Sequence, residues 1–202
     1  YGKGRWTKGM LANLAIGQGE LLVTPLQMVQ FTSILANRGK WYQPHLAMKM
    51  EDPITRKQES LMHQSGQIEG IKPTVFDIVL EGMREVVDGG TGGRARIYGI
   101  ESAGKTGTSQ NPHGNDHAWF IGFAPFENPE IAICVLVENG GSGGAISAPI
   151  AGAYLKKYFY YQNKYDYEIE RKLIAAAAKK DSTQIPAIST INTVVDSGQI
   201  GN

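Results

Sequence analysis

The sequence predicts an α/β fold of the α+β type, an antiparallel sheet flanked by helices, and three features lead to it. Strand-like runs follow one another at 102–109, 118–124 and 131–138. Two segments, 73–87 and 145–160, repeat apolar residues at helical spacing, and a third, 26–37, is apolar at most positions behind a helix start. Glycine, at 25 of 202 residues, is frequent enough to supply the sharp turns that such elements require.

Thr24-Pro25 is a helix start, a capping hydroxyl followed by proline at the first helical position, and Gly39 stops the run behind it. Because this helix is apolar on most faces, it is expected to be buried. Residues 41–70 mix two prolines with charges and show no period, which predicts an exposed, loop-rich connection with a short strand at 45–50. From Pro73, residues Val75, Ile78, Val79, Met83 and Val86 are expected to form the buried face of a helix that Gly89-Gly90 ends. Residues 94–98 form a short linking piece before the first strand.

The second and third strands are joined by Pro125 to Glu130, a length and composition that suit a hairpin, so the sheet is expected to be antiparallel. Gly140-Gly141-Ser142-Gly143-Gly144 lets the chain turn, and Ile146, Ile150, Ala153 and Lys157 then fall in register on a helix packed on the sheet. Residues 165–180 extend as a further helix, and 181–202 read as a tail. The expected organisation is therefore one domain over 1–162 and a C-terminal extension over 163–202, partly helical and then tail-like.

A formal charge of +1, with lysine and arginine spread along the chain, gives no nucleic-acid footprint. Cys134, the single cysteine, sits inside an apolar run and is read as a small hydrophobe. The four histidines lie at no metal-ligand spacing, so no metal and no cofactor are assigned. No stretch approaches the roughly 20 apolar residues of a membrane helix. The opening Tyr1-Gly2-Lys3-Gly4-Arg5-Trp6 reads as the middle of a longer protein.

The chemistry is concentrated in Glu101 to Ser109, which admits three readings. Gly99 to Thr106 satisfies the phosphate-loop pattern G-x-x-x-x-G-K-T. That loop works only where a helix opens at the Lys-Thr, and Gly107 and the Asn111-Pro112 that follow argue against one. Ser102-x-x-Lys105 copies the serine-lysine spacing of acyl enzymes, but residues three apart on a strand point to opposite faces. The third reading is Lys105-Thr106-Gly107-Thr108 as a K-T-G strand. On it Lys105 and Gly107 share a face, Gly107 allows close approach of a substrate backbone, and the Thr108 amide is available to an oxyanion.

Further segments follow in a fixed order: Gly17-Gln18-Gly19 with Thr24-Pro25-Leu26-Gln27-Met28, then Gly39 to His45, Gly82-Met83 with Val86-Val87, Asp116-His117-Ala118-Trp119-Phe120 with Phe123-Ala124-Pro125, and Glu138-Asn139-Gly140-Gly141. This series resembles the C-terminal part of the transpeptidase domain of class B penicillin-binding proteins, of the penicillin-binding protein 2 type, over about 150 residues. The resemblance implies a serine β-lactamase-like fold, here incomplete, and a peptidoglycan D,D-transpeptidase that acts through an acyl-serine. It implies catalytic roles for Lys105 and Thr108 and substrate contacts for Thr106, Gly107 and Thr108; Asp116 and His117, at the start of the next strand, are read as substrate-binding residues flanking the same site, with a structural pair that fixes the loop as the alternative.

The implied partners are a D-alanyl-D-alanine stem peptide, β-lactams as inhibitors, the N-terminal remainder of the protein and a membrane glycosyltransferase. The implied location is the extracytoplasmic face of the bacterial inner membrane, reached through an N-terminal anchor. The family's S-x-x-K and S-x-N motifs precede the G-Q-G segment, so this sequence is expected to be inactive alone. The alternatives are a peptide- or β-lactam-binding module without chemistry and a nucleotide binder.

Overall fold

A computed structural model describes residues 6–19 and 21–182. Packing divides the chain into two units, 1–165 and 166–202. In the first unit the element order is α1 (Lys8–Ala15), α2 (Pro25–Ala36), four short strands, α3 (Pro73–Asp88), three longer strands and α4 (Ala148–Tyr161). The described part of the second unit is one helix, α5 (Tyr167–Ser182), with Glu168 and Glu170 in its first turn, where carboxylates complement the helix dipole. The tail expected over 181–202 lies, from residue 183 on, outside the described residues. Among the described residues no helix is long and apolar enough to cross a membrane.

The short strands are β1 (Lys40–Tyr42), β2 (Lys49–Glu51), β3 (Gln58–Ser60) and β4 (Ser65–Gln67). They pair antiparallel as β1 with β4 and β2 with β3, so the strand expected over 45–50 is shorter and starts later. At the β2–β3 turn, Asp52 Oδ1 accepts the amides of Ile54 and Thr55, each at 2.8 Å.

The central sheet consists of β5 (Ala103–Ser109), β6 (His117–Ala124) and β7 (Ile131–Val137), antiparallel and in that order. Register sets its two faces. Ala103 pairs with Phe123 and Phe123 with Ala132, so the three share one face. There Ala103 and Phe123 pack with Ala36 of α2 and with Leu80 and Met83 of α3. Phe120, three residues from Phe123, points the other way. It packs with Val87, Ala95, Ala148 and Ala151, which places α4 and the 3-10 turn Gly93–Ala95 on the opposite face. Phe120 and Phe123 are both fully buried, and each anchors one of the two layers.

Three expectations about buried faces are corrected. Helix α2 buries only Thr32 and Ala36, while Leu26 and Phe31 are 59% and 49% exposed. Thr32 and Ala36 lie on the sheet, Leu35 packs partly buried beside them, and Leu26 and Phe31 lie off that contact. Helix α3 buries Phe76, Leu80, Met83 and Val87, leaving Val75, Ile78 and Val79 exposed. The helix carries two adjacent apolar stripes, and packing buries the one with the larger side chains, Phe76 and Leu80. Helix α4 buries Ala148, Ala151, Gly152, Leu155 and Phe159 instead of the Ile146 series. Residues Gly143–Ser147 form a π turn, which moves the helical register before α4 begins. Gly152 then lies so close to the 3-10 turn that a β-carbon would come 3.0 Å from Ala95 Cα.

Candidate active site

Strand β5 is the edge of the central sheet among the described residues, and Lys105-Thr106-Gly107-Thr108 forms its middle. The Lys-Thr pair therefore opens no helix, and the nucleotide-loop reading is excluded. Ser102, just before the strand, is buried, whereas Lys105 is exposed, as opposite-facing positions require.

The orientation of the β5 backbone follows from two contacts. Thr108 O accepts Gln18 Nε2 at 2.9 Å, and Thr106 O accepts Lys105 Nζ at 3.0 Å, so neither carbonyl is turned toward β6. In an antiparallel ladder the N–H and C=O of one residue point the same way. The amides of Thr106 and Thr108 thus face the open edge, beside the Lys105 ammonium. Gly107 lies over the indole of Trp119, and a β-carbon there would stand 3.2 Å from Trp119 Cβ.

Two clefts share this strand. The first, about 320 Å³, has Lys105, Trp119 and Ile121 on the sheet and Gln18, Leu21 and Leu22 on the segment opposite. Gly17 and Gly19, at φ 78° and 85°, turn the chain so that Gln18 reaches β5. The second, about 490 Å³, is lined by Thr91, Arg94, Thr106, Thr108, Ser142 and Ala145. At its floor the Thr91 and Thr106 hydroxyls share a hydrogen bond of 2.7 Å. Arg94 Nη1 donates to Ala145 O at 2.9 Å.

Among the described residues, Asp116 and His117 line neither cleft. Asp116 accepts the Asn111 amide on Oδ1 at 3.3 Å and the Gly141 amide on its carbonyl at 2.7 Å. His117 Nδ1 accepts the Asn139 amide at 3.0 Å, which places the ring proton on Nε2 in the neutral form. Asn111 Nδ2 donates to Asn139 Oδ1 at 2.8 Å, so three hydrogen bonds among five residues tie the β5–β6 turn to the segment after β7. The Cys134 thiol, half-buried in β7, is pushed up by burial, which suits a packing residue and not a nucleophile.

Sequence reasoning missed Gln18, Thr91, Arg94 and Ser142. Gln18 reaches Thr108 across 90 residues, and local pattern carries no sign of such a contact. Thr91 and Arg94 flank the Gly92-Gly93 pair, which the sequence allows equally as a wall near the site or as a plain turn, without marking its neighbours.

With this geometry established, comparison with known proteins identifies the scaffold. The family model for the penicillin binding protein transpeptidase domain matches residues 2–156. The peptidoglycan D,D-transpeptidase MrdA of Haemophilus influenzae is 32% identical over 198 residues, which takes in 89% of this chain and 30% of that protein. Pseudomonas aeruginosa PBP2, solved in complex with WCK 5153, superposes with a TM-score of 0.67 at 36% identity, covering 81% of this chain and 35% of that one. Penicillin-binding protein A from M. tuberculosis, solved as a ceftriaxone acyl-enzyme complex, gives a TM-score of 0.64 at 31% identity, over 72% of this chain and 34% of that one. The chain spans about a third of the length of these relatives. The family match over most of the chain, the sheet with helices on both faces and the K-T-G sequence on its edge strand agree: the chain belongs to the penicillin-binding protein transpeptidase family and corresponds to the C-terminal part of a class B transpeptidase domain.

Proposed function

We propose that this chain supplies one wall of the active site of a peptidoglycan D,D-transpeptidase, with the nucleophilic serine on a segment outside the sequence. One observation carries the reading. The Thr106 and Thr108 amides face the open edge of β5 beside an exposed ammonium, so an extended peptide laid there meets backbone donors, hydroxyls and a positive charge together.

In the proposed reaction the serine oxygen bonds to the carbonyl carbon of the penultimate D-alanine, and the serine proton passes to the nitrogen of the departing D-alanine. An amine of a neighbouring strand then bonds to the same carbon, its proton returns to the serine oxygen, and a cross-link results. Lys105 supplies the positive potential that favours loss of the serine proton. The Thr108 amide stabilises the oxyanion, and the Thr106 and Thr108 hydroxyls hold the substrate carboxylate. Gly107 leaves room for the substrate backbone. Asp116 and His117 shape this wall through Asp116 Oδ1, the Asp116 carbonyl and His117 Nδ1, which accept the Asn111, Gly141 and Asn139 amides, and the Nε2 side of His117 is the part left to meet substrate.

β-Lactams acylate the same serine in this reading. Leu21, Leu22 and Trp119 give the first cleft an apolar wall beside Lys105. The whole protein works outside the cytoplasm, anchored through an N-terminal segment and paired with a membrane glycosyltransferase. Without the S-x-x-K and S-x-N motifs, the chain alone turns nothing over.

The test is covalent labelling by fluorescent penicillin of a protein in which this chain is continuous with the segment carrying the serine. Labelling is expected, and Lys105→Ala is expected to slow it about a hundredfold or more, the scale of a lost proton-transfer group. Undiminished labelling of that variant removes the role given to Lys105, and an unlabelled wild type sinks the transpeptidase reading.

A further inference from the structure

The face of α4 turned away from the sheet carries aromatic rings that the proposed chemistry does not use. Ala148, Ala151, Gly152, Leu155 and Phe159 form the buried side of this helix. On the other side Tyr154, Lys157 and Tyr161 follow at i, i+3 and i+7, which places them on one face. Tyr154 and Tyr161 are 67% and 68% exposed, and Tyr160 beside them is 46% exposed. None of the three tyrosines lines either cleft at β5.

These rings are ordered by one another and by a cation. Lys157 Nζ stands 4.7 Å from the centroid of the Tyr161 ring and 5.8 Å from that of Tyr160. The Tyr160 and Tyr161 rings meet edge to face at 5.9 Å. Tyr158, half-buried, meets the buried Phe159 ring edge-on at 5.1 Å and so joins the outer face to the packed one. Tyr154 and Tyr161 are separated by seven residues, about 10 Å along the helix axis. Successive units of one extended chain can therefore meet both.

The chemistry of this face selects its occupant. A phenol ring offers an electron-rich surface to C–H bonds and a hydroxyl at its tip, which matches a sugar ring, apolar on its faces and hydroxylated at its rim. A helix that lies in a lipid surface needs leucine, phenylalanine or tryptophan on its outer side, and α4 buries its Leu155 and Phe159 against the protein. Helix α4 has two lysines and no carboxylate, so a polymer that bears carboxylates meets no like charge on it. We propose that the Tyr154–Tyr161 face of α4 binds a glycan strand of peptidoglycan, with sugar rings stacked on Tyr154 and Tyr161 and Lys157 donating to the strand between them. The choice of polymer rests on the transpeptidase reading. To that reading it adds a surface, separate from the clefts at β5, on which the strand is held while its peptide reacts.

The experiment measures binding of the serine-containing enzyme that includes this chain to glycan strands stripped of their stem peptides. Vesicles of phosphatidylglycerol and phosphatidylethanolamine are the second probe, and the rate of labelling by fluorescent penicillin is followed in the same samples. The wild type is expected to bind the strands, and the double variant Tyr154→Ala, Tyr161→Ala to bind them about tenfold more weakly, the scale of lost aromatic anchors. Tyr161→Trp is expected to keep the affinity, since a ring remains. Both positions are exposed, so penicillin labelling is expected to be the same in every variant. A wild type that ignores the strands, a double variant that binds them equally well, or capture by the vesicles in place of the strands overturns the glycan surface, and labelling then still stands for the transpeptidase reading. An unlabelled wild type that binds strands through these two tyrosines sinks the transpeptidase reading and leaves the surface standing.

Discussion

Gly143 lies against the peptide of Gly107. A β-carbon at residue 143 would collide with the carbonyl oxygens of Gly107 and Trp119 and approach the Gly107 nitrogen to 3.1 Å. Gly107 and Trp119 are directly paired across β5 and β6, so the π turn rests on the same pair of residues that carries the middle of the K-T-G strand. The position of the edge strand is thereby set from outside the sheet.

Substitution at this contact is expected to act on stability and on the site together. Gly143→Ala forces backbone apart and is expected to cost roughly 1–3 kcal/mol, the scale of overpacking. Penicillin acylation is expected to slow as well, because β5 cannot move without moving the Thr108 amide. Gly82→Ala is the control: nothing lies within 4 Å of a β-carbon there, and the helical position is expected to gain about 1 kcal/mol. Urea unfolding of both variants measures this, and equal midpoints would refute the contact.

The start of α2 gives a second prediction. Thr24 Oγ1 accepts the Gln27 amide at 3.2 Å, and Gln27 Oε1 accepts the Thr24 amide at 2.8 Å, a reciprocal capping box. Thr24→Ala is expected to lower stability by about 1 kcal/mol and Thr24→Ser by much less. Matching losses in the two variants, read from denaturant midpoints, would show that the hydroxyl is not the cause.

A third prediction concerns pH at the β2–β3 turn. The Asp52 carboxyl is held below its ordinary value by the Thr55 amide first and the Ile54 amide second. Since the folded value is the lower one, the stabilisation is complete above the unfolded value of roughly 3.9 and is lost as pH falls through the folded value. The Ile54 and Thr55 amide resonances are therefore expected to titrate at acid pH, and the transition to vanish in Asp52→Asn. An unchanged titration in that variant would assign it to another group.

Much of this architecture was legible in the sequence, for local reasons. Thr24-Pro25 marks a helix start by chemistry confined to a few neighbouring residues, and the apolar runs of β6 and β7 are bounded by turn residues on both sides. Lys105 to Thr108 read as a strand because glycine and the proline soon after it exclude a helix, and β5 covers them. The failures are tertiary. Val75 and Phe76 are both apolar, and the choice between their stripes is made by the sheet under α3. The Gly143–Ser147 turn inserts an irregular register whose cause, contact with Gly107, lies more than thirty residues away. Gln18 and Arg94 entered the site through single long-range hydrogen bonds, to Thr108 and Ala145, and neither leaves a periodic trace.

The unpaired margin of β5 has a cost of its own. A strand with outward-facing amides recruits any extended chain of sufficient length, including one from another copy of the same protein. The Gln18 carboxamide on Thr108 O and the charged Lys105 side chain folded onto Thr106 O stand where such a copy would add. Two side chains bonded to the carbonyls of the strand thus occupy part of the margin that a second copy would need.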